Sequence, residues 1–342
     1  MKGLNLLIRY VLKRLLYAIP GVLGIILITF ILSRVLPGDP AVMIAGEQAP
    51  PDVIENIRIS MGLKDPLYLQ FFHYIRQLGS GNLGTAWHTG HLVAQDFATR
   101  FPATLELTLV SMFIAVCFAI PVGVISATRK NSAVDHVSRV LSLLGAAIPI
   151  FWLGLVLIYI FYAKLGWSPA PMGRIGQDIN PPTHLTGLYI LDSLLTGDMV
   201  ALKESISHII LPAICLSTGT IAIVARMVRS SMLEVIGLDY VRTARAKGLP
   251  ERIVIYKHAL VNALIPTLTI LGLQFGYLIG GAVITETIFS WPGVGSYITE
   301  SILATDYAPI QGFTLVSAIL YMLINLSVDL IYGLIDPRIR YE

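Results

Sequence analysis

Between two long apolar runs the chain carries Gly237-Leu-Asp-Tyr-Val-Arg-Thr-Ala-Arg-Ala-Lys-Gly248, a polar and basic segment rich in small residues. Residues 240–247 are predicted to form about two turns of helix. Gly248 stands where a glycine often ends a helix, and Pro250 stands where another helix can begin. Ala244 and Gly248 are four residues apart, so one side of this helix should be nearly bare backbone. We interpret the segment as a helix that inserts into a cleft of a partner protein.

The composition is that of a membrane protein. Of the 342 residues, 55% are hydrophobic and 13% are charged, which is about half the charged fraction of a typical soluble domain. Six apolar runs are long enough to cross about 30 Å of hydrocarbon as helices. These runs are residues 15–32, 107–127, 140–163, 209–225, 264–284 and 313–335. The predicted fold is therefore an all-α membrane protein with six transmembrane helices.

The positions of lysine and arginine predict the orientation of these helices, because short cytoplasmic loops are enriched in both residues. Basic residues are concentrated in the N-terminal tail, in the connections after the second and fourth runs and in the C-terminal tail, whereas residues 289–311 contain none. Both termini are therefore expected in the cytoplasm. The predicted parts are a tail with transmembrane helix 1 at 1–36, a small helical extracytoplasmic insertion at 37–100, a core of transmembrane helices 2–6 at 101–335 with a cytoplasmic loop at 226–263, and a cytoplasmic tail at 336–342.

The insertion at 37–100 is predicted to contain helices at about 51–61 and 66–78. The next stretch, Gly79-Ser-Gly-Asn-Leu-Gly84, has the glycine spacing of a dinucleotide site, but no strand precedes it, so we interpret it as a turn. A second outer segment at 166–207 is rich in Pro, Gly and Asp and is expected to form turns and a short helix. Both segments are too small for a catalytic domain. We expect them to offer a modest surface to an external partner.

Sequence motifs of enzymes are missing. The chain contains no Walker A, His-Glu-x-x-His or Gly-x-Ser-x-Gly motif, and its seven histidines are scattered. Its two cysteines, Cys117 and Cys215, fall in apolar runs and are interpreted as packing residues. We therefore expect no catalytic residue, metal site or cofactor in this chain.

Carboxylates in the apolar runs are few, whereas ion-driven transporters usually carry them near the middle of the membrane. The candidates Glu106, Glu286 and Asp329 all lie toward the ends of runs. For Asp329 we favour an ion pair with a cytoplasmic arginine over a proton relay. The three arginines considered as its partner are Arg139, Arg226 and Arg229.

The fifth run has the strongest internal pattern. Gly272, Gly276 and Gly280 repeat every four residues, and Gly281 follows the last of them. Glycines on one helix face let another helix approach closely, so helix packing is the first interpretation and lining of a translocation pathway is the second. Gln274 in the same run is expected to face protein or water.

Beyond the fifth run, Glu286-Thr-Ile-Phe-Ser-Trp-Pro-Gly-Val-Gly295 combines aromatic residues with turn formers. We predict a tight loop at the membrane interface that acts as an outer gate. Its predicted gate residues are Glu286, Trp291, Pro292 and Gly293.

The segment Asp239-Tyr-Val-Arg-Thr-Ala-Arg-Ala-Lys-Gly-Leu-Pro250, followed by Lys257-His-Ala-Leu-Val-Asn-Ala-Leu-Ile-Pro266, resembles the cytoplasmic loop of bacterial ABC-importer permeases, and more narrowly their dipeptide, oligopeptide and nickel branch. Further matches lie along the whole chain. They are Leu36-Pro-Gly-Asp-Pro40, Gly81-Asn-Leu-Gly84, Phe101-Pro-Ala-Thr-Leu-Glu106, Glu286-Thr-Ile-Phe-Ser-Trp-Pro-Gly293 and Ile335-Asp-Pro-Arg-Ile-Arg-Tyr341.

This resemblance implies a fold like that of type I ABC-importer permeases and a coupling helix that docks on a separate ATPase subunit. The coupling residues it implies are Asp239, Tyr240, Arg242, Thr243, Ala244, Arg245, Ala246, Lys247 and Gly248. The wider family has Glu-Ala-Ala where this chain has Arg242, Thr243 and Ala244, and Val261 replaces a family proline. No contact of that glutamate is therefore carried over.

The resemblance further implies half of a translocation pathway for dipeptides or oligopeptides in an inner membrane of a bacterium or archaeon. Its implied partners are a second, homologous permease chain, two ATP-binding subunits that hold ATP and Mg²⁺, an extracytoplasmic substrate-binding protein and the lipid bilayer, with no nucleic acid. Nickel complexes, glutathione and haem stay open as alternative substrates, and a secondary transporter driven by an ion gradient stays open as an alternative mechanism. A membrane scaffold or receptor subunit that transports nothing is the third possibility.

Overall fold

A computed structural model of the chain describes residues 2–35, 39–46 and 48–335. These residues are almost entirely helical, and the described part contains no strand beyond an isolated bridge between Thr85 and Leu92. The all-α prediction is confirmed. The predicted tail at 336–342 lies outside the described residues.

The chain alternates long helices with short ones. In chain order they are α1 (Lys2–Val35), α2 (Pro40–Ala45), α3 (Pro51–Ser60), α4 (Leu67–Gly79), α5 (Val93–Thr128), α6 (Ala133–Ala147), α7 (Ile150–Leu157), α8 (Tyr189–Thr196), α9 (Met199–Ile236), α10 (Asp239–Ala246), α11 (Glu251–Ile253), α12 (Val261–Ile288), α13 (Val294–Leu303) and α14 (Tyr307–Ile335). Two further segments are π-helical. Ile158–Lys164 continues α7, and Val254–Leu260 joins α11 to α12.

Among the described residues, five helical stretches are long and apolar enough to cross a membrane: α1, α5, α9, the continuous α11–α12 and α14. Each overlaps one predicted apolar run. The third run, at 140–163, instead falls on α6 and α7, which are bent by 103°. The bend follows from Pro149, because the residue before a proline avoids the helical conformation, and Ile148 is extended with ψ at 124°. The count reaches the six predicted spans when this bent pair is taken as one span.

The chain divides by its internal contacts into two units, Met1–Pro102 with Gly293–Met322 and Ala103–Pro292 with Leu323–Glu342. The first unit contains α3 and α4, which confirm the two helices predicted at 51–61 and 66–78. Its core forms where Val93 and Phe97 of α5 pack with Tyr297 and Ile298 of α13.

The core of the second unit surrounds α9, whose apolar side chains are buried along most of its length. The helices packed on it include α5, α6 and α12, with α7 and α8 also in contact. The contact with α5 is close, because a Cβ added at Gly123 would lie 2.6 Å from the Cβ of Val228. Ala119, Val224, Ala225 and Ala263 complete this cluster of small side chains, which lets three helices approach one another.

Candidate functional site

The basic segment between the fourth and fifth runs forms the short helix α10, at Asp239–Ala246. The predicted helix at 240–247 is confirmed within one residue. Gly248 has φ at +74°, the left-handed conformation that glycine adopts at helix ends, and α11 begins directly after Pro250. The local signals of the sequence therefore set both ends of α10.

One face of α10 is buried within the second unit. Val241 is fully buried and Ala244 is 6% exposed, and both pack against Val235 of α9 and Val254 of the π-helical segment. The interpretation that Ala244 belongs to a bare face open to a partner is therefore wrong. The small side chain of Ala244 lets α10 approach its own chain.

The opposite face of α10 is exposed. The exposed residues begin with Asp239 at the start of the helix and continue with Tyr240, Arg242, Thr243, Arg245, Ala246, Lys247 and Gly248. This surface combines three basic side chains with one carboxylate. If α10 meets a partner protein, this face is the one available to it.

Two contacts to neighbouring elements fix the exposed face. Arg245 donates to Glu251 through Nε at 3.1 Å and Nη2 at 2.8 Å, and this carboxylate raises the pKa of Arg245. Asn262 of α12 donates from Nδ2 to the hydroxyl of Tyr240 at 3.0 Å. The sequence pattern alone does not single out Glu251 or Asn262, although their positions shortly after Pro250 are a weak signal.

The segment after α10 leads into the core. Val254, Ile255 and Ala259 of the π-helical segment are buried, and Ile255 and Ala259 belong to the cluster around Val224 and Val228 of α9. Residues 247–250 between α10 and α11 are exposed, and the chain is anchored in the core from Val254 onward. A displacement of α10 must move this packed segment or break its contacts.

A buried ion pair lies near the same end of α9. Asp135 of α6 is fully buried and accepts hydrogen bonds from Arg229, from Ser126 Oγ at 2.6 Å and from the backbone N–H of Asn131 at 3.0 Å. Arg139 lies 3.7 Å from the same carboxylate. The side chain of Asp329 lies outside the described residues, so its predicted ion pair stays a prediction. Two of the three arginines considered for it, Arg139 and Arg229, contact Asp135.

The glycines of α12 differ in their surroundings. A Cβ at Gly272 would lie 2.2 Å from Cγ2 of Val328, and a Cβ at Gly281 would lie 3.5 Å from Leu216, so both face neighbouring helices. Gly280 is exposed, with open space where its Cβ would stand, and Gly276 is partly buried. Close packing thus explains Gly272, whereas a Cβ at Gly281 would make an ordinary van der Waals contact and Gly280 leaves free space.

Gln274 bonds to the core of its own unit. Thr220 of α9 donates from Oγ1 to Gln274 Oε1 at 3.2 Å. The expectation that Gln274 faces protein or water is consistent with this contact.

The end of α12 and the loop after it are tied to the start of the second unit. Thr104 donates to the fully buried carboxylate of Glu286 at 2.6 Å. The indole of Trp291 is 1% exposed and donates to the carbonyl of Ala103 at 2.9 Å, while its backbone N–H bonds to the carbonyl of Glu286 at 2.8 Å. Pro292 is exposed and Gly293 precedes α13. The predicted gate residues Glu286, at the end of α12, and Trp291, in the loop after it, are therefore both held by hydrogen bonds to Thr104 and Ala103.

A second buried pair holds the connection between α7 and α9. Arg174 donates to Glu106 at 2.5 Å and to the carbonyl of Gly187 at 2.9 Å, and its guanidinium lies 3.6 Å from the ring centre of Tyr189. The backbone N–H of Ile190 also donates to Glu106, at 2.7 Å. Glu106 has a sequence signal, as a rare carboxylate in an apolar run, but its partner 68 residues away has none.

The described residues contain no group of three or more His, Cys, Asp or Glu side chains that are placed to hold a metal ion. Cys215 is buried and donates to the carbonyl of Ile150 at 3.4 Å, while Cys117 is exposed.

Two family models match most of the chain. A model described as "Binding-protein-dependent transport system inner membrane component" matches residues 119–341, and a model described as "Binding-prot-dependent transport system membrane comp, N-term" matches residues 7–108. The matches therefore include α10 and the segment of the short helices α2–α4.

Curated relatives match over nearly the full length. The dipeptide transport system permease protein of Alkalihalophilus pseudofirmus is 46% identical over 98% of this chain and 100% of its own. The glutathione transport system permease protein of Escherichia coli O6:H1 is 40% identical, again over 98% of this chain and 100% of its own. A solved structure of an inward-facing methionine ABC transporter shares the fold, with a TM-score of 0.50 at 19% identity over 68% of this chain and 93% of that chain.

Proposed function

The chain belongs to the family of inner membrane components of binding-protein-dependent transport systems, and on that premise we propose that it forms half of the pathway of an ATP-driven importer of dipeptides and short oligopeptides. The family consists of multi-pass permeases that act in transport and not as enzymes. The observation that carries the substrate class is the 46% identity to a dipeptide permease over the whole of that relative.

The same proposal includes partners. A second, homologous permease chain would complete the pathway, two ATP-binding subunits would hold ATP and Mg²⁺ and hydrolyse ATP, and an extracytoplasmic binding protein would deliver the peptide. The absence of a P-loop motif from the sequence supports the assignment of hydrolysis to other subunits. The loop charges support an orientation with both termini in the cytoplasm.

We assign coupling to the exposed face of α10. The side chains of Arg242, Thr243 and Lys247 are exposed. Arg242 and Thr243 form hydrogen bonds with Asp239 of the same helix, and among the described residues none of the three side chains bonds to another helix. They are therefore available to a groove on an ATP-binding subunit. The buried face, with Val241 and Ala244, transmits the motion, because it packs on the π-helical segment that leads into α12.

We assign the access switch to α12 and the turn that follows it. Gly280 leaves free space on α12, and the turn of Glu286 and Trp291 is anchored to Thr104 and Ala103 at the other end. A motion that enters α12 from α10 would act against this anchored turn. Moving such a switch fully from one side to the other requires about 5.5 kcal/mol of differential binding, which closure of ATP-binding subunits on ATP can supply.

Uptake by the assembled transporter tests the substrate class. Cells that lack other peptide importers would be given a labelled dipeptide, glutathione or a nickel salt, with and without this chain. Dipeptide uptake that requires this chain supports the proposal. Uptake of glutathione or nickel without dipeptide uptake contradicts the substrate class and leaves the family role intact.

An uncoupler tests the energy source. Uptake should continue when the proton gradient is collapsed while ATP is maintained, because the few carboxylates in the spans do not favour an ion-driven mechanism. Loss of uptake under those conditions would support a secondary transporter instead. Assembly with ATP-binding subunits without any uptake would support a scaffold.

A further inference from the structure

A groove of about 640 Å³ runs between α6, α9 and α12 within the second unit. Its lining divides by chemistry. Guanidinium groups, including those of Arg139 and Arg226, stand at one end. Apolar side chains cover most of the remainder, and they are Leu143, Ile223, Met227 and Ile270.

The groove has an excess of positive charge. Three guanidinium groups line it, those of Arg139, Arg226 and Arg229, and among the side chains that the structure describes the carboxylate in contact with them is that of Asp135. Arg229 holds this carboxylate in a bidentate contact. Arg226 lines the groove and has no ion pair among the side chains that the structure describes. Among these described side chains, three positive charges face one negative charge, so the lining is net positive.

The charged end of the groove lies at one boundary of the hydrocarbon layer. Arg139 directly precedes the apolar run at 140–163, and Arg226 directly follows the apolar run at 209–225. Leu143 and Ile223 lie about one helical turn farther into these runs. The groove is therefore basic at the depth of lipid headgroups and apolar toward the membrane interior.

We propose that this groove binds an anionic phospholipid, with its phosphate on Arg139 and Arg226 and an acyl chain along Leu143, Ile223 and Ile270. Guanidinium groups bind phosphate in a bidentate manner, and basic pockets between membrane helices on the cytoplasmic side are suited to acidic headgroups. The bound lipid connects α6 to α9 beside the Asp135–Arg229 pair.

A peptide substrate fits this groove less well. A dipeptide carries an ammonium group as well as a carboxylate, and its ammonium group would need an anionic partner. Asp135 is fully buried and already accepts hydrogen bonds from Arg229, Ser126 and Asn131. An occupant with a negative headgroup and an apolar tail satisfies both halves of the lining.

Lipid titration of the delipidated transporter tests this inference, whatever its transported substrate. The complex would be titrated with phosphatidylglycerol or phosphatidylcholine, and bound lipid would be counted by native mass spectrometry. Phosphatidylglycerol should be preferred, and Arg139→Gln and Arg226→Gln should each weaken its binding about fivefold, the factor that corresponds to the loss of one basic group near an acidic surface. Arg226→Lys should retain most of the binding because the charge remains.

Arg129→Gln is the matched control, since Arg129 is exposed, lies outside the groove and carries the same charge. It should leave the lipid preference unchanged. Soluble glycerol phosphate should bind far more weakly than the lipid because it leaves the apolar half of the groove uncovered. The inference is overturned by equal loss in all three glutamine variants, by binding of glycerol phosphate as strong as that of the lipid, or by displacement of the lipid by a dipeptide.

Discussion

Arg229 holds the buried carboxylate of Asp135 with two hydrogen bonds, from Nε to Oδ1 at 2.6 Å and from Nη2 to Oδ2 at 2.8 Å. The two residues are 94 positions apart and join α6 to α9. Ser132 caps the start of α6 by accepting a hydrogen bond from the backbone N–H of Asp135, which helps to fix the carboxylate. The pair therefore sets the position of the helix that precedes the bend at Pro149.

Asp135→Asn is expected to lower the free energy of unfolding by about 3 kcal/mol, because it leaves the guanidinium of Arg229 largely buried without its counter-charge. Denaturant titration in detergent would measure the change. Asp239→Asn is the matched control, since the Asp239–Arg242 pair is exposed and should contribute almost nothing. Equal stability of both variants would show that the buried pair does not support the fold.

The two faces of α10 should respond differently to substitution. The double variant R242Q/K247Q changes the exposed face, so it should keep normal stability and lower substrate-stimulated ATP hydrolysis about tenfold, equivalent to about 1.4 kcal/mol of lost docking energy. Ala244→Leu changes the buried face and should lower stability, because Val235, Val241 and Val254 leave no room for it. Hydrolysis assays of the assembled transporter and thermal unfolding of the same samples would separate the two effects. A double variant with full stimulated hydrolysis would place the docking surface elsewhere.

Local sequence signals predict much of this fold. Apolar runs locate the spans, and Gly248 and Pro250 locate the ends of α10, because these features depend on neighbours in the chain. The bend between α6 and α7 also has a local cause in Pro149, but proline inside an apolar run is common in membrane helices and does not by itself predict a break.

The contacts that build the candidate site depend on residues far apart in the chain. Nothing local shows that Asp135 meets Arg229 or that Glu106 meets Arg174, since each partner lies on another element. The burial of Ala244 cannot be predicted from the sequence for the same reason. A small residue on a helix fits a partner protein as well as it fits the helix's own chain, and only the position of Val254 distinguishes the two.

The glycines of α12 provide a matched pair of substitutions. Gly272→Ala should destabilise the second unit by about 1–3 kcal/mol, because the new Cβ would overlap Val328. Gly280→Ala should cost little in stability, because the space beside it is open. Thermal unfolding of the two single variants would measure this difference.

A double variant tests the stated cause. In G272A/V328A the overlapping methyl group of Val328 is removed. The double variant should therefore lose less unfolding free energy than the two single variants lose together. Additive losses would show that Gly272 is needed for a reason other than the approach of α14. Reduced uptake by G280A with unchanged stability would support a pathway role for Gly280.

The pH dependence of stability should reveal the buried carboxylate of Asp192. Burial alone would raise the pKa of Asp192, but hydrogen bonds from Thr186 and from the backbone of Leu185 and Gly187 lower it below its ordinary value. A carboxyl whose pKa is lower in the folded state stabilises the fold at any pH above its unfolded pKa, which is about 3.9. That contribution is lost as the pH falls through the folded pKa.

Asp192→Asn should therefore be less stable than the unmodified chain by a constant amount above about pH 5, and the difference should shrink as the pH falls below about 4. Thermal unfolding of both proteins in detergent between neutral and acidic pH would measure it, and carboxylates common to both proteins cancel in the comparison. A difference that grows toward acidic pH would mean that the folded state binds this proton more tightly than the unfolded state. In that case burial would outweigh the four hydrogen bonds that hold the turn at Leu185–Gly187.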